Sequence, residues 1–151
     1  MGFYLSGTSK SRLVGVNNKL VEVVNLALTL SEVDFMVTEG LRSKDRQVQL
    51  VAEGKSRTLN SKHITGNAVD LAAVISGKVS WSLSEYYKIA LAMKKAANQL
   101  GVKLIWGGVW DTNLNSLSDD IKMELESYAV RFTKATGRKP LVDGPHFEIA
   151  Q

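Results

Sequence analysis

Ser61–Ile75 reads SKHITGNAVDLAAVI. Its second half, Ala68–Ile75, is an almost continuous apolar run of strand length, which predicts a buried β-strand. One carboxylate, Asp70, interrupts the run, and an apolar interior rarely accepts a lone acid without a partner. A partner is close in sequence. His63 lies seven positions upstream, across a loop whose Gly66 lets the chain fold back so that both side chains converge.

Working outward, DFMVTEG (Asp34–Gly40) is short, β-branched and ended by glycine, the pattern of a strand running into a turn. Within Val16–Leu30, the positions Leu20, Val23, Val24, Ala27 and Leu28 recur at helical spacing, with Asn17 or Asn18 as N-cap. Ser43–Gly54 reads as a helix capped by Ser43 and stopped by Gly54. KSRTLNSKHITGN (Lys55–Asn67) has no period and reads as loop. Downstream, Leu83–Leu100 is the clearest helix, capped by Ser82 or Ser84 and ended by Gly101. VKLIWGG (Val102–Gly108) reads as a second strand. Asp119–Thr136 reads as a helix with Ile121, Leu125, Tyr128, Ala129 and Phe132 on one face, and PHFEI (Pro145–Ile149) as the last strand. Helices and strands interleave without a repeated βαβ unit, which predicts the α+β class: a small antiparallel sheet flanked by helices. No repeat, low-complexity segment or linker divides the chain, so residues 1–151 are expected to form one domain.

Hydrophobic residues at 44% and charged residues at 23% exclude a wholly disordered or fibrous chain. The absence of cysteine excludes a disulfide framework and any cysteine-ligated metal. An excess of 19 Lys and Arg over 15 Asp and Glu gives a net charge of +4 and a pI near 9.3. That balance suits attraction to a polyanion, whether nucleic acid, anionic membrane or acidic cell wall. The basic residues form no aromatic-interleaved stripe, which argues against nucleic acid. LVEVVNLALTL (Leu20–Leu30) is too short and too polar to cross a bilayer, so no membrane insertion is expected. The N-terminal MGFYLSGTSKSRLVGV lacks the charged start and apolar run of a secretory signal. Gly2 and Ser6 match a myristoylation pattern only formally.

The two histidines are His63 and His146. The second stands in DGPH (Asp143–His146), where a carboxylate precedes it by three, Gly144 permits a tight turn and Pro145 fixes the backbone. His63, Asp70 and His146 make a three-ligand zinc set that leaves a fourth position open for water, with Asp143 beside that water as a base. Each residue also has an ordinary reading. A single histidine is more often a surface or satisfied core residue, Asp70 can be an N-cap or ion-pair member, and Asp143 can initiate a turn. The coincidence is what favours a metal site: both histidines sit beside a glycine, a nearby carboxylate and an expected strand.

Taken together, S-K-H-I-T-G-N-A-V-D (Ser61–Asp70) and D-G-P-H resemble the zinc peptidases of the D-Ala-D-Ala carboxypeptidase and L-alanyl-D-glutamate endopeptidase family, whose fold is shared with the hedgehog signalling domain. E-G-L-R-S (Glu39–Ser43) with Gln47 five beyond Arg42, and W-G-G-V-W (Trp106–Trp110), extend the resemblance from about Leu13 to Ile149. The N-terminal L-V-G-V (Leu13–Val16) followed by a helix is similar to single-domain bacteriophage endolysins of this family. The resemblance implies one zinc ion per chain held by His63, Asp70 and His146, with Asp143 as general base. It implies that Arg42 faces the substrate carbonyl or carboxylate and stabilises the developing oxyanion; a surface ion pair with Glu39 is its alternative. Gln47 and Ser61 match positions that line the substrate cleft and hold its geometry.

Two departures stand out. Many members have Glu where this chain has Asp143, and the stretch 111–142 between W-G-G-V-W and D-G-P-H is very short in compact members. That stretch is expected to be a helical insertion. Arg131, Lys134, Arg138 and Lys139 at its basic end either hold an anionic polymer beside the cleft or merely complement the helix dipole.

The expected activity is a zinc-dependent peptidoglycan endopeptidase, like a phage endolysin, cutting the L-Ala–D-Glu bond of stem peptides during host lysis. Such a protein is expected to be a monomer that collects in the host cytoplasm and reaches the wall through a holin-made lesion. The alternatives are a D,D- or L,D-carboxypeptidase or dipeptidase on the same polymer, and a non-catalytic zinc-stabilised binding module. Asp143 argues against the last, since a structural metal site needs no base.

Overall fold

Strands and helices alternate irregularly along the chain: α1 (Gly7–Arg12), α2 (Asn18–Leu30), β1 (Asp34–Glu39), α3 (Lys44–Ala52), β2 (Ala68–Ile75), β3 (Lys78–Ser80), α4 (Leu83–Leu100), β4 (Leu104–Trp106), a 3-10 turn at Leu114–Ser116, α5 (Ile121–Thr136) and β5 (His146–Ile149). The structure is a computed structural model and describes residues 2–150. The two end residues of the expected 1–151 span lie outside the described residues. The strands form one antiparallel sheet in the order β1-β2-β5-β4, with β3 paired to the far end of β2. The α+β expectation therefore holds.

Asn17 caps α2 by accepting a hydrogen bond from Lys19 N–H, and Ser43 caps α3 by accepting one from Arg46 N–H. Leu20, Val24 and Leu28 of α2 and Ile89, Met93 and Ala96 of α4 meet Val69, Leu71 and Ala73 of β2 in a single core. Successive strand residues point to opposite faces, so Asp70 faces away from that core. A register shift between Val37 and Glu39 places Glu39, rather than Thr38, opposite Asp70. On the other side of β2, Asp70 pairs with His146 of β5. Glu39, Asp70 and His146 thus form one row across three adjacent strands.

Several expected boundaries move. The strand read at Val102–Gly108 is only Leu104–Trp106. Gly107 turns away to donate its N–H to the His146 carbonyl and to accept from Asp143 N–H. The helix read from Asp119 starts at Ile121, because the Asp120 side chain caps it by accepting from Met123 N–H. Ser82 precedes α4 without a side-chain cap; its hydroxyl pairs with that of Ser84 instead. Three elements had no sequence expectation: α1, β3 and the 3-10 turn. Within the stretch 111–142, α5 buries Ile121, Leu125 and Tyr128 and packs against α4.

Candidate active site

The row of residues described above opens into a cleft of about 610 Å³. Asp70 lies at its floor, supplied by β2, and His146 comes from β5. His63 comes from the loop between α3 and β2, where Ser61 Oγ accepts from His63 N–H and steadies the turn. Gly66, with φ +76°, closes that loop so tightly that a Cβ would overlap the Gly15 carbonyl.

One oxygen of Asp70, Oδ1, is 3.2 Å from His63 Nε2 and 3.5 Å from His146 Nδ1. The candidate ligand atoms of His63, Asp70 and His146 all lie within 4.8 Å of one another. The other nitrogen of each ring is already engaged. His63 Nδ1–H donates to the Gly40 carbonyl at 2.8 Å, and His146 Nε2–H donates to Glu148 Oε1 at 2.8 Å. Those bonds orient the rings so that His63 Nε2 and His146 Nδ1 face Asp70, the outer arrangement that metal-binding histidines ordinarily have. Lys62 Nζ completes the chain at 2.9 Å from Glu148. A donor set of two imidazole nitrogens and one carboxylate fits zinc.

The electrostatics agree with this arrangement. Burial works against ionising Asp70, but hydrogen bonds from His146 and His63 outweigh it and hold the carboxyl well below the usual range. Burial also disfavours the charged form of His146, yet Asp70 and Glu148 push its pKa up to about 9. Asp143 is different. Burial, followed by repulsion from Asp70, raises its pKa above the ordinary carboxylate value. Its carboxylate lines the cleft without a side-chain partner among the described residues.

Arg42 makes the ion pair with Glu39 that the sequence allowed, but not at the surface. Its side chain is 8% exposed. Nε and Nη2 donate to the two Glu39 oxygens at 2.8 and 2.6 Å, Nη1 donates to Gln47 Oε1 at 2.7 Å, and Nη2 lies 3.7 Å from Asp70 Oδ2. Burial alone would lower the Arg42 pKa, but Glu39 raises it. Gln47 is fully buried beneath Arg42, donating to Ser56 Oγ and to the Thr58 carbonyl. It therefore holds Arg42 and the loop rather than forming the cleft wall, whereas Ser61 does line the cleft.

Glu148 and Lys62 were missed by sequence reasoning. The signal was present: Glu148 follows His146 by two within a strand, which puts both on one face. Of the four basic residues expected beside the cleft, Arg131 is bound to Asp111 at 2.6 and 2.7 Å and lies 5.3 Å above the Tyr128 ring. Arg138 and Lys139 reach a groove adjoining the cleft.

The phage L-alanyl-D-glutamate peptidase family matches residues 1–130. The L-alanyl-D-glutamate peptidase of Escherichia phage T5 is 35% identical over 126 residues, covering 81% of this chain and 91% of that protein. The L-alanyl-D-glutamate peptidase of Listeria phage A118 is 28% identical over 78 residues, 52% of this chain and 27% of that protein. The crystal structure of Serratia marcescens L-Ala D-Glu endopeptidase ChiX superposes with a TM-score of 0.75 at 38% identity, covering 99% of this chain and 91% of that one. The family match ends before Asp143 and His146, which the sheet itself brings to Asp70.

Proposed function

The chain belongs to the phage L-alanyl-D-glutamate peptidase family, and on that premise we propose that it hydrolyses the L-Ala–D-Glu bond of peptidoglycan stem peptides. The observation that carries this reading is the convergence of His63, Asp70 and His146 in an open cleft with a proton-accepting Asp143 alongside. A zinc ion held by His63 Nε2, Asp70 and His146 Nδ1 would polarise the scissile carbonyl and acidify the attacking water. Asp143 takes the proton as the water oxygen adds to the L-Ala carbonyl carbon, and returns it to the D-Glu nitrogen as the C–N bond breaks. Arg42 has most of its N–H groups committed to Glu39 and Gln47. The free N–H on each of Nη1 and Nη2 is left to stabilise the developing oxyanion. Gln47 and Ser61 hold Arg42 and His63 in place. His146 is oriented by Glu148, itself paired with Lys62.

The single core supports one catalytic domain, which we take to act as a monomer; its helix-bearing stretch 111–142 packs through α5 onto α4. Family membership further supports release from the host cytoplasm through a holin-made lesion. Among the described residues no helix is long and apolar enough to cross a membrane. The test is digestion of purified peptidoglycan by the zinc-loaded protein, with the freed termini identified by mass spectrometry. New D-Glu amino termini are expected; release of C-terminal D-alanine alone would overturn the endopeptidase reading. Metal analysis should find one zinc per chain, lost in both His63→Ala and His146→Ala.

A further inference from the structure

A groove of about 350 Å³ continues from the cleft, sharing Arg57, Trp110 and Leu141 with it. Trp110 is the ridge between the two. Its ring centroid is 5.4 Å from that of His146, and its Nε1–H donates to the Leu141 carbonyl at 3.0 Å. Beyond the ridge, Tyr128 and Phe132 of α5 form an aromatic floor, their rings 5.7 Å apart. Arg138 and Lys139 form the far rim. No acidic residue lines the groove, and none of Arg57, Arg138 and Lys139 makes a salt bridge or a side-chain hydrogen bond among the described residues. Three unpaired cations around an aromatic floor suit a ligand that carries carboxylates on methylene chains.

We propose that this groove is a subsite for the carboxylate-bearing part of the stem peptide, the γ-linked D-Glu and the diamino acid that follows it. The proposal rests on the endopeptidase reading above. In a stem peptide the free carboxylates lie on the D-Glu side of the scissile bond, and the other side leads to an uncharged sugar chain. The groove therefore takes the leaving-amine side. Asp143 is compatible with that polarity: it lines the cleft two residues along the chain from Leu141, which borders both cleft and groove, and a proton must be delivered to the D-Glu nitrogen. Because the groove shares Arg57, Trp110 and Leu141 with the cleft, the residues that follow the scissile bond pass from one into the other along Trp110. Arg131 takes no part, because Asp111 already occupies it.

Two measurements on the zinc-loaded full chain test this, using native protein, the double variant Arg138→Ala/Lys139→Ala, and Arg57→Ala. Arg138 and Lys139 are exposed and unpartnered, so the fold is expected to persist, as a thermal melt checks. In the first, L-Ala–γ-D-Glu–diaminopimelate is compared with the same peptide amidated at its carboxylates. The double variant should raise KM for the free acid roughly tenfold with kcat unchanged, and leave the amidated peptide unaffected. In the second, the γ-D-Glu–diaminopimelate dipeptide is titrated against each protein by calorimetry, which needs no turnover. Its Kd should weaken by a similar factor in the double variant and in Arg57→Ala. An unchanged KM and Kd would overturn the subsite, as would a loss confined to intact sacculi, which would assign the cations to another wall anion. Dipeptide binding that depends on the groove, without cleavage of either peptide by the native protein, would sink the endopeptidase reading and leave the subsite standing.

Discussion

Asp70 Oδ1 is shared by two imidazoles, and without a metal that sharing is stabilised by a proton on His146. The His146 pKa of about 9 lies above its unfolded value of about 6.5. The stabilisation is therefore complete below about pH 6.5 and is lost as pH rises through about 9. Asp70, with its pKa lowered, stays charged throughout that window. Zinc must displace the same proton, so its binding strengthens over the same range. Melting in chelator should thus show a Tm that falls from pH 6.5 to 9, while the Tm increase on adding zinc widens. A parallel fall in both forms would refute the assignment of His146. Asp143→Asn should retain zinc and fold but lose about 10²–10⁴-fold in kcat, as removal of a positioned base does. Glu148→Gln should weaken zinc affinity about 10–100-fold, read by competition with a chromogenic chelator, because it loosens the His146 ring. At this scale the convergence of His63, Asp70 and His146 was legible because a carboxylate in an apolar strand demands partners. Gln47 was only half legible: its motif spacing marked it, but not that it is buried beneath Arg42.

Gly107 and Gly144 bolt the β4 turn to the segment that carries Asp143. A Cβ on Gly107 would overlap the Asp143 carbonyl, and Gly144 lies against the Tyr86 ring. Gly107→Ala should therefore depress kcat through displacement of Asp143 while zinc content stays near one per chain. A variant with native kcat would show that the turn tolerates the shift. The longer elements were legible because apolar spacing alone specifies them. The exceptions have physical causes. The six-residue α1 buries only Ser9, whose hydroxyl accepts from Val37 N–H, so no apolar period marks it. β3 is three residues long, too short to show alternation. Its signal was the Ser76–Gly77 pair, both at positive φ, which makes the two-residue hairpin turn.

Across the whole molecule, the site gathers residues from Glu39 to Glu148, and the sheet order β1-β2-β5-β4 is what brings them together. Sequence patterning read four of the five strands but not their order, since pairing between distant segments leaves no local trace. That order puts β5, the last of the described strands, between β2 and β4, and among the described residues β4 has no other strand partner. During synthesis, β4 must wait for His146–Ile149 before it can join the sheet, and neither His146 nor Asp143 exists until that moment. Nascent chains arrested before Asp143 should accordingly be protease-sensitive and fail to retain zinc, and both properties should change once residue 149 has cleared the ribosome. The candidate cutting centre is thus completed only by β5, so a chain interrupted before that strand carries no such centre.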